Sequence, residues 1–406
     1  MKSILHVFAS WKMAAILLLG FSCGIPLALT FATLQAWMAS EKVDLTVIGV
    51  FSLVGMPYAL KFLWAPLMDR YVPPFLGRRR GWMLITQIGL VIGIAAMAFS
   101  SPSQNPAMVA TLAVIVAFFS ASQDIVVDAY KTEILTKDEF GVGSGLYVMG
   151  YRIAMITSGA VALIMADHLP WKTVYLVMAA IMATGVLTSV LAPEPQIEEK
   201  PPRTLTDAVV LPFIEFFKRK GAIEVLIFMI LYKLDVALTL AMITPFMLDI
   251  GFSKTDIGAV TKGFGMVSVI AGTLVGGTLM VKLKMERSLW IFGITQAASG
   301  LAFMWLAHLG HNYPAMVAAV AIENFCSGMG IAAFSAFMMS LCDKRFTATQ
   351  YALLSSFMSL SRYVAGAPSG YLAKTLGWEY YFLVCVLVGI PGLLLLMRYK
   401  KWSIPA

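Results

Sequence analysis

Two aspartates four residues apart, Asp124 and Asp128, lie inside the apolar run AFFSASQDIVVDAYK that closes the stretch Ala107–Lys131. Residues at that spacing share one helix face, so both carboxylates look the same way, with Gln123 alongside and Lys131 a turn further on. A charged carboxylate at the centre of a bilayer helix costs about 2.5–3.5 kcal/mol on insertion scales, so it faces a water-filled cavity or a partner. The chemistry open to such a group is carrying a proton or meeting a polar cargo. Asp128 has a plain alternative, a pair with Lys131 near the helix end. Asp124 sits ~6 Å deeper, at ~1.5 Å of rise per residue, and is the stronger candidate for proton coupling.

Three further sites carry charge within apolar runs. Lys233 and Asp235, in ILYKLDVALTL, are two apart and point in different directions from a helix, so each is expected to find its partner elsewhere. Glu323 and Asn324, in VAAVAIENFCSGMG, fall near the middle of their run. A mid-bilayer glutamate is either a group that is neutral in one transport state and charged in another, or one tied permanently to Lys233, Lys262 or Arg362. Arg152 and Arg362 occupy nearly equivalent places in the two halves of the chain, and an arginine can grip a carboxylate with two parallel bonds. Lys61 and Lys262 stand without local acids.

The elements that must position these residues are membrane helices. The chain has 406 residues, 59% hydrophobic and 13% charged, with mean hydropathy +0.82. A soluble domain carries roughly 25% charged residues, so this is an integral membrane protein. Apolar runs of ~20 residues span as helices rather than as barrel strands. Twelve are expected, at 13–35, 46–68, 82–100, 107–130, 142–166, 173–191, 222–248, 256–281, 289–307, 314–341, 348–373 and 380–397. The first is too long for the apolar region of a cleavable signal. Loops and tails on the N-terminal side hold 21 Lys and Arg against 4 opposite, which predicts cytoplasmic termini and explains the net charge of +8 by topology and anionic lipid rather than nucleic acid.

Four cysteines without paired spacing suggest neither a disulfide nor a metal site, and the four histidines fall outside the spans. No GxxxxGK[ST] loop is present, so no ATPase is expected and the energy must come from a gradient or the cargo. No cofactor is implied.

The polar stretch Ala192–Lys220 reads as a linker, with a short amphipathic surface helix around Leu205–Phe217. It separates an expected N-terminal bundle, residues 1–191, from a C-terminal bundle, 221–406, with 192–220 between them. The halves match at an offset of 209: Ala28, Leu29, Thr30, Ala32 and Met38 recur as Ala237, Leu238, Thr239, Ala241 and Met247, and Thr86-Gln87 recur as Thr295-Gln296. Six plus six helices in parallel repeat is the organisation of the major facilitators, an all-α integral membrane fold of two six-helix bundles around a central cavity. Asp124, Asp128, Lys233 and Asp235 align with Ala333, Phe337, Gly24 and Pro26. Charges present in only one half are candidates for cargo or ion handling rather than scaffold.

The loop MDRYVPPFLGRRRGW, Met68 to Trp82, resembles the major-facilitator loop between helices two and three. Asp69 is expected to cap or pair with a neighbouring helix. Arg70, Arg78, Arg79 and Arg80 are expected to hold a cytoplasmic gate closed and anchor to phosphates.

Together with that loop, GFSCGIPLALTFATLQAWM, SASQDIVVDAYKTEIL, ILYKLDVALTL, IENFCSGMG and LCDKRFTATQYALLSS resemble the AmpG-type muropeptide permease branch of the major facilitators, across nearly the whole chain. The resemblance implies a secondary active transporter, not an enzyme, in the bacterial inner membrane. It would import N-acetylglucosaminyl-1,6-anhydro-N-acetylmuramyl peptides by proton symport for peptidoglycan recycling, which in some bacteria controls β-lactamase induction. Its partners would be the muropeptide, protons and membrane lipid, and the chain would work as a monomer.

For that hydroxyl-rich, anionic cargo the substrate-binding candidates are Arg152, Lys233 and Lys262 with the amides Gln35, Gln123 and Asn324. Trp37 and Tyr151 are candidates to stack on a sugar. Asp124, Asp235, Glu323 and Asp128 are the proton-coupling candidates. Well-known members of the branch continue into two further helices, whereas this sequence closes on RYKKWSIPA. A same-fold importer of another anionic amphiphile, such as a siderophore, is the alternative. A membrane sensor or enzyme acting on wall fragments is the remote one, since the acids are scattered and the periplasmic loops short.

Overall fold

The computed structural model describes residues 10–43, 51–196, 202, 204–358 and 360–402. Among them nine helices are long and apolar enough to cross a membrane. They are α1 (Trp11–Ser40), α3 (Arg78–Met97), α4 (Pro106–Ile134), α5 (Phe140–Ala166), α6 (Trp171–Leu191), α7 (Ala222–Asp249), the long stretch Thr255–Leu309, α10 (Tyr313–Leu341) and α12 (Trp378–Trp402). Lys284, with φ 63° and ψ 165°, divides the long stretch into α8 (255–283) and α9 (285–309). The two remaining helices are interrupted ones. α2 (51–70) runs as short pieces with Pro57 and Pro66 near the starts of two of them, where a missing N–H does least harm. α11 comprises Thr347–Met358 and Leu360–Leu376. The expected second span begins at 46, and its first five residues lie outside the described ones.

The twelve expected helices therefore each have a counterpart, with the eighth and ninth joined except at Lys284. The linker carries its helix at Leu205–Lys218. Large apolar side chains such as Ile92, Ile164 and Leu187 stay exposed on outward helix faces, as suits a chain whose solvent is lipid.

The chain divides into two compact units. The first consists of Met1–Thr136, Leu146–Pro212 and Cys342–Ser356, the second of Lys137–Gly145, Phe213–Leu341 and Phe357–Ala406. Each has its own apolar core, around Leu29, Trp37, Leu90 and Tyr175 in the first and around Phe246, Phe303, Met316 and Phe382 in the second.

Within the first unit α1 and α5 touch backbone to backbone. A Cβ on Gly20 would collide with the carbonyl of Tyr147, and one on Gly150 with that of Leu17. Small residues on both helices permit this approach, which lets the middle of α1 face the same region as Tyr147 and Tyr151.

Candidate functional site

In the first unit α4 carries Ser120, Gln123 and Asp124 on one face. Asp124 is half-buried and its Oδ1 has no hydrogen-bond partner among the described residues. Tyr58 of α2 brings its hydroxyl beside Ser120 and toward Asp124, and Cys23 of α1 lies between Asp124 and Tyr147. Tyr151 and Arg152 of α5 are within electrostatic reach of this group. Tyr58 Oη, Ser120 Oγ and Gln123 Oε1 are, like Asp124 Oδ1, buried and without a bond of regular geometry. Each such atom costs about 1–3 kcal/mol if nothing meets it. Four together define a place made for water, a proton or the hydroxyls of a guest. Gln123 is otherwise held by its Nε2, which donates to Ser22 Oγ at 2.7 Å.

One turn along α4 the situation differs. Lys131 Nζ donates to Asp128 Oδ1 at 2.8 Å and lies 4.2 Å from the Tyr147 ring centre and 5.2 Å from that of Tyr351. Asp128 is thus half of a buried pair, while Asp124 is not.

The α2–α3 loop forms a second polar centre in this unit. Asp69, fully buried, accepts from Arg78 at 3.0 Å, from Arg79 at 2.9 Å, and from the backbone N–H groups of Ala348 and Thr349 at the start of α11. Arg79 also donates through Nε to Glu133 Oε2 at 2.8 Å. Arg79 and Asp69 have no solvent exposure, so the expectation that Arg79 anchors to phosphates is corrected: two buried carboxylates already fill its donors.

Arg80 turns instead to the carbonyls of Ser189 and Val190 at the end of α6, and Arg70 stacks over Tyr71 at 5.5 Å. Gly77, with φ +82°, makes the left-handed turn into α3, and Glu194 from the linker caps that helix. Its two oxygens accept from the N–H groups of Arg79 and Arg80 at 2.9 and 3.1 Å. Burial pushes the Glu194 carboxyl above its usual range, against the pull of these two N–H bonds.

In the second unit Lys233 and Asp235 are joined through a third residue. Lys233 Nζ donates to Gln296 Oε1 at 3.3 Å, and Gln296 Nε2 faces Asp235 Oδ1 and Oδ2 at 3.3 and 3.4 Å. Glu323 accepts from the Ser299 hydroxyl, and its Oε1 has no partner among the described residues. Asp235, Thr239, Gln296 and Glu323 line one tight crevice with Cys385. No ion pair to Glu323 is present among the described side chains. Those of Lys262 and Arg362 lie outside them.

The remaining expected residues scatter. Asn324 donates to the Val320 carbonyl of its own helix at 2.9 Å, and Gln35 is exposed. Trp37 is corrected outright as a sugar platform. It is 2% exposed, stacked on Trp171 at 5.8 Å and packed on Tyr175 at 4.9 Å, with its N–H donated to Glu41 at 2.7 Å. No face of the ring is left for a sugar. Residues not singled out by sequence as belonging to the site include Tyr58, Ser120, Glu133, Glu194, Gln296, Ser299 and Thr349. Only Gln296 had a signal, its recurrence from Gln87.

Carboxylates held inside helices of a multi-pass membrane fold, three of them without an ion pair among the described side chains, fit a transporter. The chain belongs to the Major Facilitator Superfamily, whose family model matches residues 14–366. Proteins of this family are transporters and not enzymes. Among its relatives is the anhydromuropeptide permease of Escherichia coli (strain K12), 46% identical over 399 residues, 98% of this chain and 81% of the permease. A putative transporter AmpG 4 of Rickettsia felis is 32% identical over 98% of this chain and 99% of its own length. The proton:xylose symporter XylE bound to 6-bromo-6-deoxy-D-glucose shares the fold, with TM-score 0.67 at 11% identity, over 98% of this chain and 96% of that one. The human organic anion transporter MFSD10 gives 0.66 at 16% identity, over 96% and 99%.

Proposed function

We propose that this protein imports N-acetylglucosaminyl-1,6-anhydro-N-acetylmuramyl peptides from periplasm to cytoplasm by proton symport, as a step of peptidoglycan recycling. The observation that carries the cargo is the 46% identity to an anhydromuropeptide permease along 98% of the chain. Proton coupling is supported by Asp124, Asp235 and Glu323, which sit inside membrane helices without the direct ion pair that occupies Asp128. The protein works as a monomer in the inner membrane with both termini cytoplasmic, built of an N-terminal bundle to residue 191, a linker 192–220 and a C-terminal bundle from 221.

In this reading the cargo's carboxylates meet Lys233, Arg152 and Lys262, and its hydroxyls and amides meet Gln123, Gln35, Asn324 and Tyr151. The proton and the cargo bind together because each neutralises what the other leaves charged. The Asp69–Arg78–Arg79 network, with Arg70 and Arg80 at its edges, holds the cytoplasmic gate. The test is uptake of labelled anhydromuropeptide into right-side-out vesicles, with and without a protonophore. Uptake abolished by the protonophore is the expected result. Uptake that ignores it removes the symport, and no uptake by folded protein removes the cargo.

A further inference from the structure

The sequence repeat puts a glutamine at the same point of α3 and α9, Gln87 and Gln296. In the first unit this amide is the centre of a neutral hub. Gln87 Nε2 faces Ser22 Oγ at 3.4 Å, and its Oε1 accepts from the Ser189 hydroxyl. In the second unit the same amide stands between opposite charges. Its oxygen accepts from Lys233 Nζ, while its nitrogen faces both oxygens of Asp235 and the Tyr232 carbonyl. Lys233 and Asp235 are two residues apart on α7, so their side chains diverge, and the Gln296 carboxamide is what they share.

A carboxamide set head to tail between an ammonium and a carboxylate is polarised by both, so each bond strengthens the other. When Asp235 takes up a proton, Gln296 Nε2 faces a neutral acid and Oε1 loses part of its hold on Lys233. The ammonium is then free to grip an anionic group. No bond but the O–H of Asp235 is made or broken: the proton arrives with the cargo and leaves after it.

The groups that face Asp235 are Lys233 and Tyr232 from its own helix, Glu323 from α10 and Cys385 from α12. Ser299, one turn beyond Gln296, holds Glu323, so α9 orients both acids. Space for the amide is kept by Gly330 of α10, where a Cβ would collide with Gln296 Oε1.

We infer that Gln296 is the positioning residue that links protonation of Asp235 to the grip of Lys233 on an anionic cargo. This rests on the proton-coupled import proposed above. By linkage, a proton that favours cargo binding is itself favoured by bound cargo, to the same factor.

The test is equilibrium binding of a labelled N-acetylglucosaminyl-1,6-anhydro-N-acetylmuramyl peptide to the full chain in lipid nanodiscs, on the acid and alkaline sides of neutrality. Wild-type affinity should rise toward acid by at least about fivefold, the lower end of ordinary coupling. In Gln296→Met, which keeps the volume and loses the amide, that ratio should fall to within about twofold, under ~0.5 kcal/mol. Gly330→Ala, which displaces the amide but keeps its chemical identity, should do the same and carries the test where Gln296→Met does not fold. Gln87→Met, which breaks the neutral hub, should lower the melting temperature and keep the ratio. A ratio retained in the folded Gln296 and Gly330 variants, or lost equally in Gln87→Met, overturns this inference and leaves the proposed import standing. A wild type that binds with no pH dependence overturns it as well. A wild type that binds no labelled peptide removes the proposed cargo instead.

Discussion

Thr349 gives Asp69 both its backbone N–H and its hydroxyl, each bond 2.7 Å long. The carboxylate wedged between Arg78 and Arg79 is therefore also the cap of the helix that begins at Thr347. Two arginines and two carboxylates, Asp69 and Glu133, meet in one buried cluster whose formal charges balance. Removal of any one leaves a buried charge without its counterpart.

That balance predicts unequal costs. Asp69→Asn and Arg79→Ala should each destabilise the purified protein by about 3–5 kcal/mol, the cost of orphaning a buried charge. Thr349→Val removes one hydroxyl bond to a carboxylate and should cost roughly 1.5–3 kcal/mol. Arg80→Ala, which loses bonds to two carbonyls at a half-exposed site, should cost least. Thermal unfolding in nanodiscs reads the order, and an Arg79→Ala no worse than Arg80→Ala would refute the cluster.

The two aspartates of α4 should separate cleanly. Asp124→Asn breaks no direct ion pair among the described residues, losing the longer-range pull of Lys61, and should cut gradient-driven accumulation at least about tenfold while melting closer to wild type than Asp128→Asn, a loss of ~1.4 kcal/mol of driving interaction. Asp128→Asn orphans the buried Lys131 and should lower stability by about 3–5 kcal/mol before any transport is measured. Parallel uptake and melting measurements decide it, and full accumulation by Asp124→Asn would end its coupling role.

Glu323→Gln should behave like Asp124→Asn in uptake, since the amide can still accept from Ser299 and keeps the fold. Ser299→Ala should leave Glu323 without its one bonded donor and disturb accumulation less, by a factor of about two to ten, as for one lost hydrogen bond of ~0.5–1.5 kcal/mol. Vesicle uptake at a fixed imposed gradient measures both.

Glu41 gives a pH dependence outside the spans. Burial opposes its ionisation, but bonds from the Ser103 hydroxyl and N–H, the Trp37 indole and the Ser101 hydroxyl outweigh it and hold the carboxyl below its ordinary range. A depressed carboxyl contributes stability above its unfolded pKa and loses it as pH falls through the folded one. Wild type should therefore lose melting temperature on acidification in the range below the ordinary carboxylate pKa, and Glu41→Gln should show a flatter acid limb from a lower starting point. Identical acid limbs would remove Glu41 as the cause. Tryptophan emission from Trp37 and Trp171 reports the same opening.

Much of this was legible in the chain. Each expected span has a helix, and the linker helix lies within a residue of its expected end. The proline-bearing pieces of α2 and the joining of α8 to α9 were not legible, because hydropathy records how apolar a stretch is and not where its backbone breaks. Asp124, Lys233, Asp235 and Glu323 stood out because a charge in an apolar run is rare. Serines, glutamines and tyrosines are ordinary there, so Ser299, Gln296 and Tyr58 did not.

The sequence by itself determined that the chain crosses a membrane many times and which family it belongs to, since these depend on composition, local periodicity and motif. Only the tertiary structure decided which charge meets which partner. Arg79 is a buried hub and Arg80 an edge residue although they are neighbours in the chain, because successive helix positions point about a third of a turn apart. Trp37 fills a core and Gln296 bridges two charges for a like reason. What a side chain touches is set by where helices distant in sequence cross, and no local pattern carries that information.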